Sequence, residues 1–305
     1  MSARELIVLG TASQVPTRYR GHNGYLLRWD AEGILFDPGE GTQRQMIFAD
    51  VSVSQVNRIC ITHFHGDHCL GLAGISQRIS LDRVPHEVQV HYPASGQVYY
   101  ERLRQASIFH DVAHVRGVPI EGPGELWRGR DLTLSARRLD HGVDTYGYRL
   151  QEADSRRMLG DRLHEVGVRG AATRRLIDEG RVEVDGREVL LEDVSEPRPG
   201  QSMAFVMDTR LCDGAFELAQ GVDLLVCEST YLSSEEREAH DHGHLTARQA
   251  GRIARESGAR RLVLTHFSQR YGSLEPFLEE ARLEHDDVVA VVDGERVSVP
   301  ARATI

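Results

Sequence analysis

Three features of the sequence predict an α/β fold forming one continuous body with an insertion. Short apolar runs of the buried-strand type alternate with stretches of helical spacing, a histidine-rich loop follows one of those runs, and residues 155–199 break the pattern. In chain order, residues 6–9 read as a buried strand, 25–29 and 33–36 as a pair of strands, and 58–62 as another strand. Helical spacing follows at 70–79 and 95–106, and strands return at 132–138 and 146–150. After the break, the apolar runs 203–207, 224–227 and 262–265 have the composition of strands buried on both faces, with a helix at 246–256 between the last two.

At 305 residues the chain is long for one domain, yet α/β folds of this length form single bodies, so a single domain spanning 1–305 is expected. The net charge of −10 excludes a uniformly basic nucleic-acid surface; any contact with nucleic acid must be a local patch. All basic residues other than histidine are arginine, which suits bidentate phosphate contacts but also fits the coding bias of a GC-rich genome. Cys60, Cys69, Cys212 and Cys227 are widely spaced and read as reduced, mostly buried thiols. No targeting segment opens the chain and no apolar run is long enough for a membrane, so a cytoplasmic protein is expected.

The segment 155–199 carries Arg156, Arg157, Arg162, Arg169, Arg174, Arg175 and Arg181 interleaved with acids and has no long apolar run. It reads either as an excursion from the main body or as a solvated helix and hairpin.

The sharpest motif is His63-Phe64-His65-Gly66-Asp67-His68, directly after the run 58–62. A strand end followed by a tight loop can aim four ligand groups into one pocket. Imidazole and carboxylate donors without cysteine suit a catalytic zinc or similar divalent ion. More ligands are then needed at other strand ends. His141 follows 132–138, Asp208 ends 203–207, and His266 ends 262–265.

These residues resemble, in order, the metal ligands of the metallo-β-lactamase superfamily, whose fold is an αββα sandwich with the site at one edge. The resemblance implies two divalent ions per subunit, with zinc the expected metal. One would be held by His63, His65 and His141, the other by Asp67, His68 and His266, with Asp208 between them. The segment Phe36-Asp37-Pro38-Gly39-Glu40-Gly41-Thr42-Gln43 is similar to the Asp-x-Gly-Glu-Gly-Thr-Gln motif of the ribonuclease Z family, and Asp37 is expected to buttress the ligand loop. Cys227-Glu228-Ser229-Thr230 resembles that family's His-Glu-Ala-Thr element, and His244-Leu245-Thr246 its His-x-Thr element; the following Thr246 favours His244 over His240 and His242. Pro16-Thr17-Arg18-Tyr19-Arg20, with Asn23, looks like a loosened Pro-x-Lys-x-Arg-Asn loop.

The resemblance implies a zinc-dependent endoribonuclease that removes the 3′ trailer from precursor tRNA, leaving a 3′-hydroxyl on the tRNA and a 5′-phosphate on the trailer. Its catalytic groups would be Asp67, Glu228 and His244, with His244 as general acid. It further implies a homodimer, and an arm at 155–199 that grips tRNA. Here the sequence departs from the family, because Gly170-Ala171-Ala172 stands where a Gly-Pro tip is common. The alternative is a phosphodiesterase of the same fold acting on cyclic nucleotides or other small esters, which keeps the metals and needs no arm.

Overall fold

The computed structural model describes residues 4–302; the first three residues of the N-terminal stretch, on which the absence of a targeting segment was partly read, lie outside it. Two compact units emerge, one made of residues up to Leu150 together with Ser202–Ala301, the other containing Gln151–Gln201.

The larger unit holds two seven-stranded sheets. The first contains β1 (Arg4–Gly10), β2 (Gly24–Trp29), β3 (Glu32–Phe36), β4 (Arg58–Cys60), β5 (Val88–Pro93) and β6 (Val115–Ile120) in sequence order, with β18 (Arg296–Ser298) outside β1. It is antiparallel from β18 to β3 and parallel from β3 to β6. The second is built from β7 (Gly124–Arg128), β8 (Leu132–Leu139), β9 (Thr145–Glu152), β14 (Ser202–Val206), β15 (Leu224–Glu228), β16 (Arg261–Thr265) and β17 (Val288–Ala290). Its run from β14 to β17 is parallel.

Alternation along the strands divides the core into layers. Tyr25, Leu27 and Trp29 of β2 meet Met203 and Phe205 of β14 between the sheets, where the Phe36 and Phe205 rings stack at 4.5 Å. Each fully buried ring of this kind contributes about 1.5–3 kcal/mol of hydrophobic stabilisation. Leu26 faces outward under α1 (Thr42–Phe48), α3 (Leu72–Leu81) and α4 (Gln97–Arg104), in a layer that includes Met46, Leu72, Ile75 and Tyr100. Ala204 and Val206 face the other way, with Leu218, Ile253 and Phe277 from α7 (Asp213–Ala219), α9 (Ala247–Ser257) and α10 (Glu275–Arg282). The architecture is therefore an αββα sandwich, and burial on both faces explains why the strands read as continuous apolar runs. Thr246 caps α9 with Gln249 in a capping box, so the helix starts one residue after the sequence expectation. The one-turn α2 (Gly66–Cys69) and the short α8 (Glu236–His242) belong to the site described below.

The smaller unit pairs β10 (Ser155–Met158) with β13 (Ser195–Arg198) and encloses α5 (Gly160–Glu165), α6 (Ala171–Glu179) and the hairpin β11 (Arg181–Val184)–β12 (Arg187–Leu190). Asp185-Gly186, both with positive φ, makes the hairpin turn. Val168, Leu176, Val182, Val189 and Val194 form its own small core, which the short, scattered apolar residues of this segment did not announce.

All four cysteines are free, and Cys60, Cys69 and Cys227 are buried. Among the described residues, no helix is long and apolar enough to cross a membrane.

Candidate metal centre

The chain leaves β4 into the histidine loop. His65 is the N-cap of α2, and the single turn of that helix buries Asp67 and His68. The loop is seated on the segment after β3: a Cβ on Gly39 would stand 2.2 Å from the Asp67 carbonyl oxygen, and one on Gly71 would stand 2.1 Å from the Gly39 oxygen. Those two glycines are what permit the approach. Opposite, Asp208 follows β14, His266 follows β16 and His141 lies just beyond β8. Asp37, Asp208 and His266 all have left-handed backbones, with φ of 42°, 43° and 62°. Such conformations cost non-glycine residues energy, and their concentration at three strand ends around one pocket marks it as functional.

The side chains from both sheets converge. His63 Nε2 and His141 Nε2 lie 3.7 and 3.9 Å from Asp208 Oδ2, and His65 Nδ1 lies 3.4 Å from His141 Nε2. His68 Nε2 is 3.3 Å from both Asp67 Oδ2 and Asp208 Oδ2, while His266 Nε2 is 3.6 Å from Asp67 Oδ2 and 3.1 Å from Asp208 Oδ1. Three overlapping sets result, His63, His65, His141 and Asp208, then Asp67, His68 and His266, and also Asp208, His244 and His266, each with donor atoms within 4.8 Å of one another. All seven residues expected as ligands are thus brought together. His65 is exposed and His141 half-buried, so the site opens on that side.

The far ring nitrogens are anchored. His68 Nδ1 bonds Asp37 Oδ2 at 2.9 Å, His63 Nδ1 bonds Thr62 Oγ1 at 3.0 Å, His141 Nδ1 donates to the Gly243 oxygen at 2.9 Å, and His266 Nδ1 bonds Thr230 Oγ1 at 2.7 Å. Asp37 also accepts from Thr62 N at 2.7 Å and Thr62 Oγ1 at 2.8 Å, the buttressing geometry expected of it. Thr62, Thr209 and Asn23 complete the surroundings. The Thr62 and Thr209 hydroxyls carried no signal in the sequence, because a threonine beside a strand end is ordinary.

A divalent cation fits this donor set. Nε2 of His63, Nε2 of His266 and Oδ1 of Asp208 are buried without a hydrogen-bond partner, each a loss of about 1–3 kcal/mol that a central cation removes. Electrostatics agree. Burial alone would push the Asp208 carboxyl up, but His266, His68 and His244 hold it well below the usual carboxylate range; burial and His68 act on Asp67 in the same opposed way, and Asp67 is also held low. His68 is the converse, its imidazolium disfavoured by burial but raised by Asp208, Asp67 and Asp37, whereas burial and the neighbouring His68 push His63 well down. An uncompensated set of buried carboxylates facing imidazole nitrogens is what a cation neutralises.

Beside it, His244 Nδ1 lies 3.0 Å from Glu228 Oε1 and 4.0 Å from Asp208 Oδ2. Burial pulls the His244 imidazolium down, but Glu228 and Asp208 more than offset this and raise its pKa to about 9. Glu228 is fully buried and accepts from Thr209 N at 2.7 Å and Thr230 Oγ1 at 2.6 Å. Of the competing histidines, the His240 side chain is mostly exposed beside Asp241, whereas His242 lines the same cavity as His244 but bonds Tyr231 Oη at 3.1 Å and not Glu228. His65, Asp67, His141, Asp208, His244 and His266 all line one cavity of about 350 Å³.

Comparison with known proteins gives a consistent result. Residues 17–147 match the Metallo-beta-lactamase superfamily and residues 193–267 the Beta-lactamase superfamily domain. The chain is 58% identical over 306 residues to ribonuclease Z of Streptomyces coelicolor, covering 99% of this chain and 100% of that protein. It is 57% identical over 304 residues to ribonuclease Z of Salinispora arenicola, covering 99% and 98% of the two chains. Among solved structures, the short form of human tRNase Z superposes with a TM-score of 0.70 at 24% identity, covering 97% of this chain and all of that one; this likeness concerns the fold.

Proposed function

Because the chain belongs to the ribonuclease Z family of the metallo-β-lactamase superfamily, we infer that it is a metal-dependent endoribonuclease that removes the 3′ trailer from precursor tRNA. The observation that carries the reading is 58% identity to a ribonuclease Z along the whole chain combined with a largely buried His/Asp cluster at one cavity. His63, His65 and His141 would hold one ion, Asp67, His68 and His266 a second, with Asp208 shared; nitrogen and oxygen donors without cysteine favour zinc. Ions held there supply Lewis-acid chemistry, activating water near neutral pH and offsetting charge that builds on the phosphate.

The protein's own groups supply the rest. Glu228 holds the His244 Nδ1 and favours the protonated ring, and the His244 Nε2 makes no hydrogen bond among the described residues. That nitrogen delivers a proton to the departing 3′ oxygen of the tRNA, so that the tRNA ends in a 3′-hydroxyl and the trailer begins with a 5′-phosphate. Glu228, anchored by Thr209 and Thr230, orients the imidazole, and Asp67 at the cavity wall is a second carrier for protons.

For tRNA recognition we assign the smaller unit. Residues 155–199 carry nine arginines against ten acids, so bulk charge does not do the gripping. Arg157, Arg174 and Arg181 are engaged with Glu196, Asp178 and Glu188. Arg169, Arg175 and Arg187 are exposed and make no ion pair among the described residues, which leaves them for phosphate contacts. A cytoplasmic homodimer, in which the smaller unit of one copy serves the cavity of the other, completes the proposal. Incubating the purified protein with a precursor tRNA and mapping both product ends tests it. Cleavage at the 3′ boundary leaving a 3′-hydroxyl is expected; hydrolysis of small phosphodiesters alone would overturn it.

A further inference from the structure

Thr209 and Arg210 follow Asp208, and the chemistry above gives Arg210 no part. We infer that Arg210 is a positioning residue for His244, acting through the turn that ends α8. The inference deepens the proposed function and rests on His244 working in that cavity.

Arg210 ties three segments together. Its Nε donates to the His240 carbonyl oxygen at 2.7 Å, its Nη1 donates to Asp140 Oδ1 at 3.2 Å, and its backbone N–H donates to the Asp140 oxygen at 2.8 Å. Asp140 immediately precedes His141, and Asp140 N donates in turn to Thr209 Oγ1 at 3.0 Å. His240 lies at the end of α8, where Gly243 takes a left-handed φ of 76° and Gly243 N donates to the same His240 oxygen at 3.1 Å. A Cβ on Gly243 would stand 2.7 Å from His141 Nδ1 and 3.6 Å from Arg210 Nη1, so the turn rests directly on both side chains.

The physical case is one of geometry. The Arg210 side chain is three-quarters buried although its Asp140 partner is half exposed, and a cation among the last carbonyls of a helix is favourably placed. The guanidinium is a planar fork that reaches the carbonyl of one segment and the carboxylate of another at once; an ammonium on a flexible stem holds one of them well. Glu228 fixes the His244 ring at Nδ1, but the backbone that carries the ring is held by His244 N to the Ala239 oxygen at 2.8 Å and by the turn that Arg210 pins. Releasing that turn moves Nε2 relative to the ligand cluster, and a misplacement of about 1 Å costs about a hundredfold in rate.

The test uses the full-length, metal-loaded protein and the variants Arg210→Ala, Arg210→Lys, His244→Ala and the double variants. Four quantities are read: kcat and KM on precursor tRNA, metal content per chain, and amide hydrogen exchange across residues 236–246. Arg210→Ala is expected to lower kcat about ten- to a hundredfold with KM and metal content unchanged, to speed exchange at Gly243 and His244, and to have an effect of less than about twofold in the His244→Ala background. Arg210→Lys should fall between wild type and Arg210→Ala; if the alanine variant does not fold, the lysine variant makes the same comparison. Loss of metal, an unchanged kcat, or an equal loss in the His244→Ala background overturns the inference. Failure of the proton-donor reading shows separately: the His244→Ala protein would then hydrolyse a substrate with a good leaving group as poorly as tRNA, while the coupling between Arg210 and His244 is still measured.

Discussion

Replacing Asp37 with asparagine is the sharpest probe of how the histidine loop is held. Both carboxylate oxygens are engaged: Oδ1 accepts from Thr62 N, and Oδ2 accepts from Thr62 Oγ1 and meets His68 Nδ1 at 2.9 Å. An amide has one acceptor and one donor end. Turned one way it serves Thr62 N and places N–H groups against His68 Nδ1; turned the other way it sets them against the Thr62 amide. In the first orientation His68 must accept at Nδ1 and carry its proton on Nε2, the nitrogen that faces Asp67 and Asp208, and it then cannot ligate. In the second a fully buried backbone N–H is stranded. Loss of a supporting partner of this kind weakens metal binding about 10- to 100-fold, or about 1.4–2.7 kcal/mol. Titration of the apo-protein with zinc against a chromophoric chelator measures it, with circular dichroism checking the fold. An Asp37→Asn protein that binds zinc as tightly as wild type, yet cleaves tRNA poorly, would refute the buttressing argument and place Asp37 in the chemistry itself.

Three other outcomes are expected. Asp208→Ala should abolish hydrolysis of every phosphodiester and lower metal content, read by elemental analysis and turnover, because that carboxylate belongs to the first donor set and its oxygens lie 3.3 and 3.1 Å from His68 and His266 of the second; near-normal turnover with full metal content contradicts its assignment. Glu152 N and Gln201 O are bonded at 2.9 Å, so a short glycine linker can replace residues 155–199; the deletion should cripple precursor tRNA cleavage, leave an activated phosphodiester nearly unaffected, and flatten the salt dependence of tRNA binding by up to about three phosphate contacts. His91 is fully buried with both ring nitrogens unpartnered, and burial, with Arg58 and Arg116, lowers its pKa to about 4. The unfolded chain therefore takes up this proton near its ordinary value while the folded one resists until about 4, so stability falls as pH drops through that window, by up to about 3 kcal/mol. His91→Leu should flatten the urea midpoint between those pH values, and parallel wild-type and variant profiles would show that His91 does not drive the loss.

The strands that position the site were legible in the sequence because most are buried on both faces and read as unbroken apolar runs, as at Leu262 and Val263. Most candidate ligands were legible because they stand just past such a run, where a parallel strand delivers its side chain to the sheet edge; His141 follows β8, an alternating strand antiparallel to β7. Less visible were β5 to β7, where His91, Arg116 and Glu125 interrupt the apolar pattern, and α1, which follows a glycine turn and exposes Ile47 and Phe48. The smaller unit was ambiguous because a core of five valine and leucine side chains, drawn from four short elements and a loop, has no local period. Thr62 and Thr209 could not be found from sequence, since their importance comes from partners 25 and 19 residues away.

The candidate metal donors come from both halves of the sandwich. His63, His65, Asp67 and His68 follow a strand of the first sheet, whereas His141, Asp208 and His266 follow strands of the second. Neither half alone brings all seven together, so a nascent chain released before its last strands have docked, or one clipped between the sheets, carries the histidine loop without His141, Asp208 and His266 opposite it. For a phosphodiesterase surrounded by RNA this is a safeguard: the power to hydrolyse appears only with the finished molecule and disappears at the first large-scale opening.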